Sequence, residues 1–395
     1  MEPTNIAWQE NQRRSFCSET NIVVSISSDT ISPMIGAENI ESLSYTKSGD
    51  ILSGTLTQDK LTLKIKARTD NELRWLRNIE PDALRNASIQ FTPAFKLPQG
   101  GGQSSFISIR GGVYYITDVS KSSDGKSATI QAESILAFMT PLIETYHQNT
   151  GDTVFNSLIR LANRESAVPS RVELTPVMDR DIMQETTVRI YPEDKLTIAQ
   201  GLQLIANACR CVLYVGRDGH SIHCEPFKTE SENYVLSEKI MYQQLETKYT
   251  DLIGNITIVT DRGTKEYGTD QEGEKIGARQ IITNPIILTD DIPPAALMQH
   301  TFQTLHYGRK KFSTTVRFDP ALDLFDPITV PNGDSSDIAV VTKINATYNG
   351  AWKASIEATA INGTARKLRI CDLEMMTLSQ IASLKIKDAA PEGGV

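Results

Sequence analysis

The sequence lacks any long apolar run. No window approaches the ~18 consecutive apolar residues that a membrane-crossing helix needs, so no span is expected. It also lacks an excess of positive charge: 40 Lys and Arg stand against 48 Asp and Glu, a formal net charge of −8. That excludes a nucleic-acid binder that grips phosphates over its outer surface, which needs clustered Lys and Arg. It leaves room for a wall that DNA slides past without sticking. Cysteine is scarce and odd in number, at Cys17, Cys209, Cys211, Cys224 and Cys371. The N-terminus "MEPTNIAWQENQRRSF" has no apolar run after its charges. No signal peptide is therefore expected, and reduced thiols are the expected state.

Catalytic signatures are missing too. There is no H-E-x-x-H, no G-x-S-x-G, no P-loop and no G-x-G-x-x-G opening a helix. The glycines of "LPQGGGQSS" (Leu97 to Ser105) are followed by neither a helix start nor Gly-Lys-Ser/Thr, so they read as a plain loop. Carboxylate pairs occur at Asp323/Asp326 and Asp290/Asp291, the pairing a glycosidase needs. With 48 acidic residues such pairs arise by chance, and the second reads as a helix-entry cap. His147, His300 and His306 are scattered, and spacing alone gives them no role.

What is present is strand and helix periodicity. In "LTLKIK" Leu61, Leu63 and Ile65 share one face, and "IVVSI" and "SLSYT" also read as strands. "TDNELRWLRNI" reads as a short helix capped by Asp70, with Leu73 and Leu76 inward. "SSDGK" and Asn349-Gly350 mark hairpins. Two amphipathic helices follow in the middle. One is capped by Asp152 or Thr153 and buries Val154, Leu158, Leu161 and Ala162. The other is capped by Thr197 and buries Ile198, Leu202, Ile205, Ala206 and Cys209. "LIGNITIVT" is a strand, Thr264 to Gln280 an exposed loop, and "PPAALMQHTFQTLHYG" a helix with Met298, Phe302 and Leu305 on one face.

"CRCVLYVGRDGHSIHCEP" looks like a set of soft metal ligands, but strand geometry separates them. With Asp218-Gly219 as the turn, Leu213 opposes Cys224 and Val215 opposes Ile222. A three-residue loop would change the inward face of the first arm. In either case His223 and Cys224 are neighbours that point apart, and His220 lies on the order of 13 Å from Cys224 along the strand. A zinc bond is only about 2 Å. The cysteines are therefore expected to be small apolar core residues.

Three passages together resemble the baseplate hub proteins of tailed bacteriophages. They are "NIESLSYTKSGDILSGTLTQDKLTLKIKA", the stretch from "LTIAQGLQLIANACRCVLYVGRDGHSIHCEPF" to "LETK", and "RFDPALDLFDPITVPN" with the Asn-Gly hairpin. The family also resembles the N-terminal part of type VI secretion spike proteins and siphophage tail-associated proteins. One departure stands out: the family pattern has a small residue, often Gly, before the aspartate where this chain has Phe325 before Asp326.

The resemblance implies an α+β chain with two tail-tube-like antiparallel β-barrel domains and a mixed α/β segment between them. The expected divisions are an N-terminal arm (1–19), a first β-barrel-like domain (20–140), a mixed domain with the 211–225 hairpin (141–236), a second β-barrel-like domain (237–365) and a C-terminal segment (366–395). It further implies a homotrimer without catalytic, cofactor or metal sites. Its partners would be the tail tube or distal tail protein, a central spike or fibre and a tape measure protein, with DNA passing through the lumen. The place would be the virion tail. The chain ends soon after the hub-like region, so no C-terminal lysozyme or peptidase domain is expected. Leu373, Met375, Met376, Leu378, Ile381 and Leu384 form the candidate partner interface. Two rival readings are a peptidoglycan hydrolase, on the supply of carboxylates, and a receptor- or glycan-binding tail protein, on Trp75, Trp352, Tyr114 and Tyr115.

Overall fold

A computed structural model describes residues 19–98, 104–164, 172–229, 234–251, 253–260, 263–268, 278–287, 295–332 and 335–361. The first third is built of strands β1 (Thr20–Ser27), β2 (Met34–Gly36), β3 (Ile40–Ser48), β4 (Gln58–Lys66), β5 (Ser88–Pro98), β6 (Ser104–Ser108), β7 (Gly112–Lys121) and β8 (Ser127–Glu133). Alternation sets their inner face: Leu61, Leu63 and Ile65 of β4 are fully buried, as are Ile22, Val24 and Ile26 of β1. Each such side chain contributes about 1.5–3 kcal/mol by leaving water. The β7–β8 hairpin turns at Gly125, whose φ of +64° suits a residue without Cβ.

The short helix α1 spans Arg74–Asn78 and does bury Leu73 and Leu76. Asp70 is not its cap. The Glu72 carboxylate accepts from the Arg68 backbone N–H (2.7 Å) and the Asn39 amide (2.7 Å), which winds residues 68–72 into a turn. The helix then starts after Leu73, at φ 48°, and Asp70 pairs with Arg77 and Lys126 at the surface.

The middle holds β9 (His147–Thr150), α2 (Gly151–Arg164), β10 (Thr175–Met178), α3 (Arg180–Gln184), β11 (Thr187–Ile190), α4 (Ile198–Ala208), β12 (Val212–Val215) and β13 (Ser221–Glu225). Thr197 caps α4 reciprocally with Gln200. In α2 the helix begins at Gly151, before both expected caps, so Asp152 and Thr153 sit inside the first turn. Its carboxylate accepts from the Thr150 hydroxyl (2.5 Å) and the Gln184 amide (3.1 Å).

The last third comprises β14 (Glu246–Tyr249), β15 (Ile253–Thr260), β16 (Gly263–Gly268), β17 (Ala278–Thr283), α5 (Ala295–Tyr307), β18 (Lys310–Arg317), β19 (Pro327–Asn332), β20 (Ser335–Tyr348) and β21 (Trp352–Ala360). The segment from Thr264 to Gln280 is thus no plain loop: both ends are strands flanking β15, because β15 offers two open edges.

Thirteen strands form one sheet in the order β14–β18–β21–β20–β3–β4–β8–β7–β5–β1–β2, with β19 also on β20 and β6 also on β5. The link between the two ends of the chain is β3 against β20, from Leu43↔Tyr348 to Ser48↔Lys343. No closed barrel is found among the described residues; the two β-rich portions share this open sheet and one hydrophobic core. Tyr45, Phe91, Phe318 and Trp352 meet in that core, with Phe318 and Trp352 stacked at 4.4 Å. A second core joins α2, α4 and the β12–β13 hairpin to β15 and α5. The chain is α+β and β-rich, and among the described residues no helix is long and apolar enough to cross a membrane.

Candidate functional site: a buried charged junction

The two cores meet at the connection between β3 and β4. Its backbone is read by α4 and β12. Gln203 Nε2 donates to Ser53 O (2.9 Å) and Asn207 Nδ2 to Leu52 O (2.6 Å). In return Ser53 Oγ donates to Cys211 O (2.7 Å) and Thr57 Oγ1 to Leu213 O. These side chains are buried, so each bond replaces one to water that burial removed.

A cluster of charges lies beside this seam. Lys47 continues the inward parity of Leu43 and Tyr45 in β3, and Asp59 continues that of Leu61 and Leu63 in β4. They are cross-strand partners, 3.7 Å apart as an ion pair. Asp323, from the loop between β18 and β19, accepts from Lys47 Nζ (2.9 Å) and from Arg217 Nε (2.8 Å). Arg217 stands in the turn of the β12–β13 hairpin and also donates to the carbonyls of Pro320, Leu322 (3.1 Å) and Arg110 (3.2 Å). Its planar fork serves several acceptors at once, which a lysine could not. Lys47 and Arg217 side chains are only 7% and 8% exposed.

The charge states follow from the neighbours. Burial pushes the Asp323 carboxyl up, but Lys47 and Arg217 outweigh it and hold it well below the usual range. Burial pushes Lys47 down, and Asp323 and Asp59 reverse this, so it stays an ammonium. Asp59 goes the other way: burial raises it to about 6, only partly offset by Lys47. The Tyr114 hydroxyl lies beside Asp59 without closing a hydrogen bond. Removing one partner from such a buried pair costs about 3–5 kcal/mol, which makes the cluster a lock between three distant segments.

Phe325 completes the junction. Its φ is +64°, a conformation that favours glycine. The strain is offset by packing, for its ring lies against Tyr214 (6.0 Å) and over Gly49. A Cβ at Gly49 would come within 2.5 Å of Phe325 Cζ. The bulk of Phe325, where the resemblance led to the expectation of a small residue, is thus matched by a missing side chain at position 49.

The metal-like stretch resolves as strand parity requires. Leu213 pairs with Cys224 and Val215 with Ile222. Cys209, Cys211 and Cys224 are buried thiols of the second core, and burial pushes Cys224 well up. His223 stacks on Tyr214 (4.5 Å) and His220 stays half-exposed beside Asp218. Among the described residues no three His, Cys, Asp or Glu side chains are grouped to hold a metal. Asp323 and Asp326 do not flank an open cleft: Asp326 accepts from the Asp323 backbone N–H (2.7 Å). His147 bonds Thr145 and Ser157, His306 stacks on Phe302, and His300 is lowered to about 4 by burial and by Arg210. Trp352, Tyr114 and Tyr115 are buried, and Trp75 packs on the sheet core. Cys17, Cys371, Asp290, Asp291, the Gly100–Gly102 run and the interface set from Leu373 to Leu384 lie outside the described residues.

The sequence patterns do not single out Lys47, Asp59, Arg217, Gln203 or Asn207. The signal for the first two is strand parity, which places a charge where the next apolar residue should stand. Arg217 carries no such mark, since its acceptors, the Asp323 carboxylate and three backbone carbonyls, lie about a hundred residues away in sequence.

The chain is β-rich α+β, with a thirteen-stranded sheet and a hairpin locked against it, and this fold is similar to that of solved tail proteins. It superposes on the 43 kDa tail protein of prophage MuSo2 from Shewanella oneidensis with a TM-score of 0.55 at 12% identity, over 88% of this chain and 100% of that one. It superposes on the tail protein from Neisseria meningitidis with a TM-score of 0.55 at 11% identity, over 86% and 96%. Against the prophage tail protein gp18 from Listeria monocytogenes the TM-score is 0.51 at 10% identity, over 92% and 98%. No family model matches the sequence, and no curated protein matches it.

Proposed function

We propose that this chain is a structural hub of the baseplate or tail tip of a tailed bacteriophage or a related injection machine. One observation carries the reading: the fold likeness runs end to end, over 86–92% of this chain and 96–100% of three prophage tail proteins. In this reading the β-rich portions 20–140 and 237–365 act as two tube-like units. Three copies form a ring that presents six such units and joins a six-fold tail tube or distal tail protein to a three-fold central spike or fibre. A tape measure protein ends against the ring. DNA crosses the lumen without specific binding, in keeping with the net charge of −8. The protein works in the virion tail after assembly in the host cytoplasm, without catalysis or cofactor. The segment bearing Leu373, Met375, Met376, Leu378, Ile381 and Leu384 meets a partner. A ring that carries load during ejection needs rigid joints, and the buried ion cluster supports that role.

Cryo-electron microscopy of virions, with this subunit placed in the map, tests the reading. The expected result is a three-fold ring around the channel at the tail tip. Absence from the tail, or a place on its outside, would overturn it.

A further inference from the structure

A cleft of about 530 Å³ opens where the two cores part. Its walls come from the β3–β4 connection, the link between β14 and β15, the last turn of α5, and β20 and β21. Three carboxylates line it: Asp50, Asp251 and Glu357. Two ammoniums face them, but Lys343 is already engaged by Glu357 at 2.7 Å, leaving Lys311. Leu305 and Gly308 place the C-terminal end of α5 in the wall. The last carbonyls of a helix carry partial negative charge. The cleft therefore favours a cationic occupant.

The sequence supplies one close by. β21 supplies Thr359 to the wall, and two residues later Ile361 packs on the small cluster that contains Ile51, another wall residue. The described backbone thus ends two residues beyond a wall residue of the cleft. The next residues read "NGTARKLRI", with Arg366, Lys367 and Arg369 in a run of four. Five residues from Ile361 span up to about 17 Å when extended, which sets the reach of this run.

We propose that the basic run at 366–369 docks in this cleft of its own chain, its cations against Asp50 and Asp251. The C-terminal segment then leaves the molecule from a fixed point.

Amide exchange on the full chain tests this. In the full-length variant Arg366→Glu, Lys367→Glu, Arg369→Glu, exchange at Thr250, Asp251, Ile253 and residues 305–308 is expected to rise roughly tenfold as local protection is lost. Exchange in the buried strands β4 and β21 stays unchanged. Carbodiimide coupling of the unaltered chain then identifies the occupant, with the Lys343–Glu357 link as internal standard. Links from Lys367 to Asp50 or Asp251 within one chain are expected. Unchanged exchange in the cleft overturns the proposal, as do Lys367 links confined to pairs between two chains.

Discussion

Asp59 shares the inward face of β4 with Leu61 and Leu63, and that position sets its chemistry. Burial raises its carboxyl to about 6, against about 3.9 in an unfolded chain. Between about pH 4 and 6 the folded protein therefore keeps a proton that the unfolded chain has released. Stability falls as pH rises through that window, by up to about 2–3 kcal/mol. Asp323 has the opposite sign: held low, it contributes stability above about pH 4 that is lost as pH falls further. Asp59→Asn mimics the protonated acid. Urea unfolding at about pH 4.5 and about pH 7 should show the Asp59 slope flattened in this variant. A slope equal to that of the unaltered protein would rule out Asp59 as its source.

At the scale of elements, α2 and α4 cross where neither has room to spare. A Cβ at Gly151 would come within 2.4 Å of Cys209 Sγ and 2.9 Å of the Met183 carbonyl. Gly151→Ala should cost about 1–3 kcal/mol by overpacking. Cys209→Ala should recover part of that cost, and a double-mutant cycle on chemical denaturation measures the coupling. Strict additivity would mean that the sulfur is not the obstacle. Legibility in the sequence divides along the same line. The stripes of α2 and α4, the β12–β13 register and the Asn349-Gly350 hairpin follow from periodicity, a local property. The start of α1 and the strands β16 and β17 do not, because the Glu72 carboxylate held by distant Asn39 and a neighbouring strand edge decide them. Of the junction, parity marks Lys47 and Asp59, whereas Arg217 is fixed by the Asp323 carboxylate and by carbonyls about a hundred residues away in sequence.

Across the whole molecule, the β3–β4 connection and the Lys47–Asp323–Arg217 cluster tie the sheet core to the helical core. Trp75 and Trp352 report on the sheet core, while most of the helix lies in the other. Fluorescence and helical circular dichroism should therefore follow one coincident unfolding transition. Two separated midpoints would show that the junction does not couple the cores. The β3–β20 pairing has a consequence in time. Thr46 and Asn345 meet across 299 positions of sequence. A ribosome adding about 5–20 residues per second needs about 15–60 s to supply the partner strand. Until β20 is made, the nascent chain holds β3 with one edge open, which exposes it to wrong pairing during that wait.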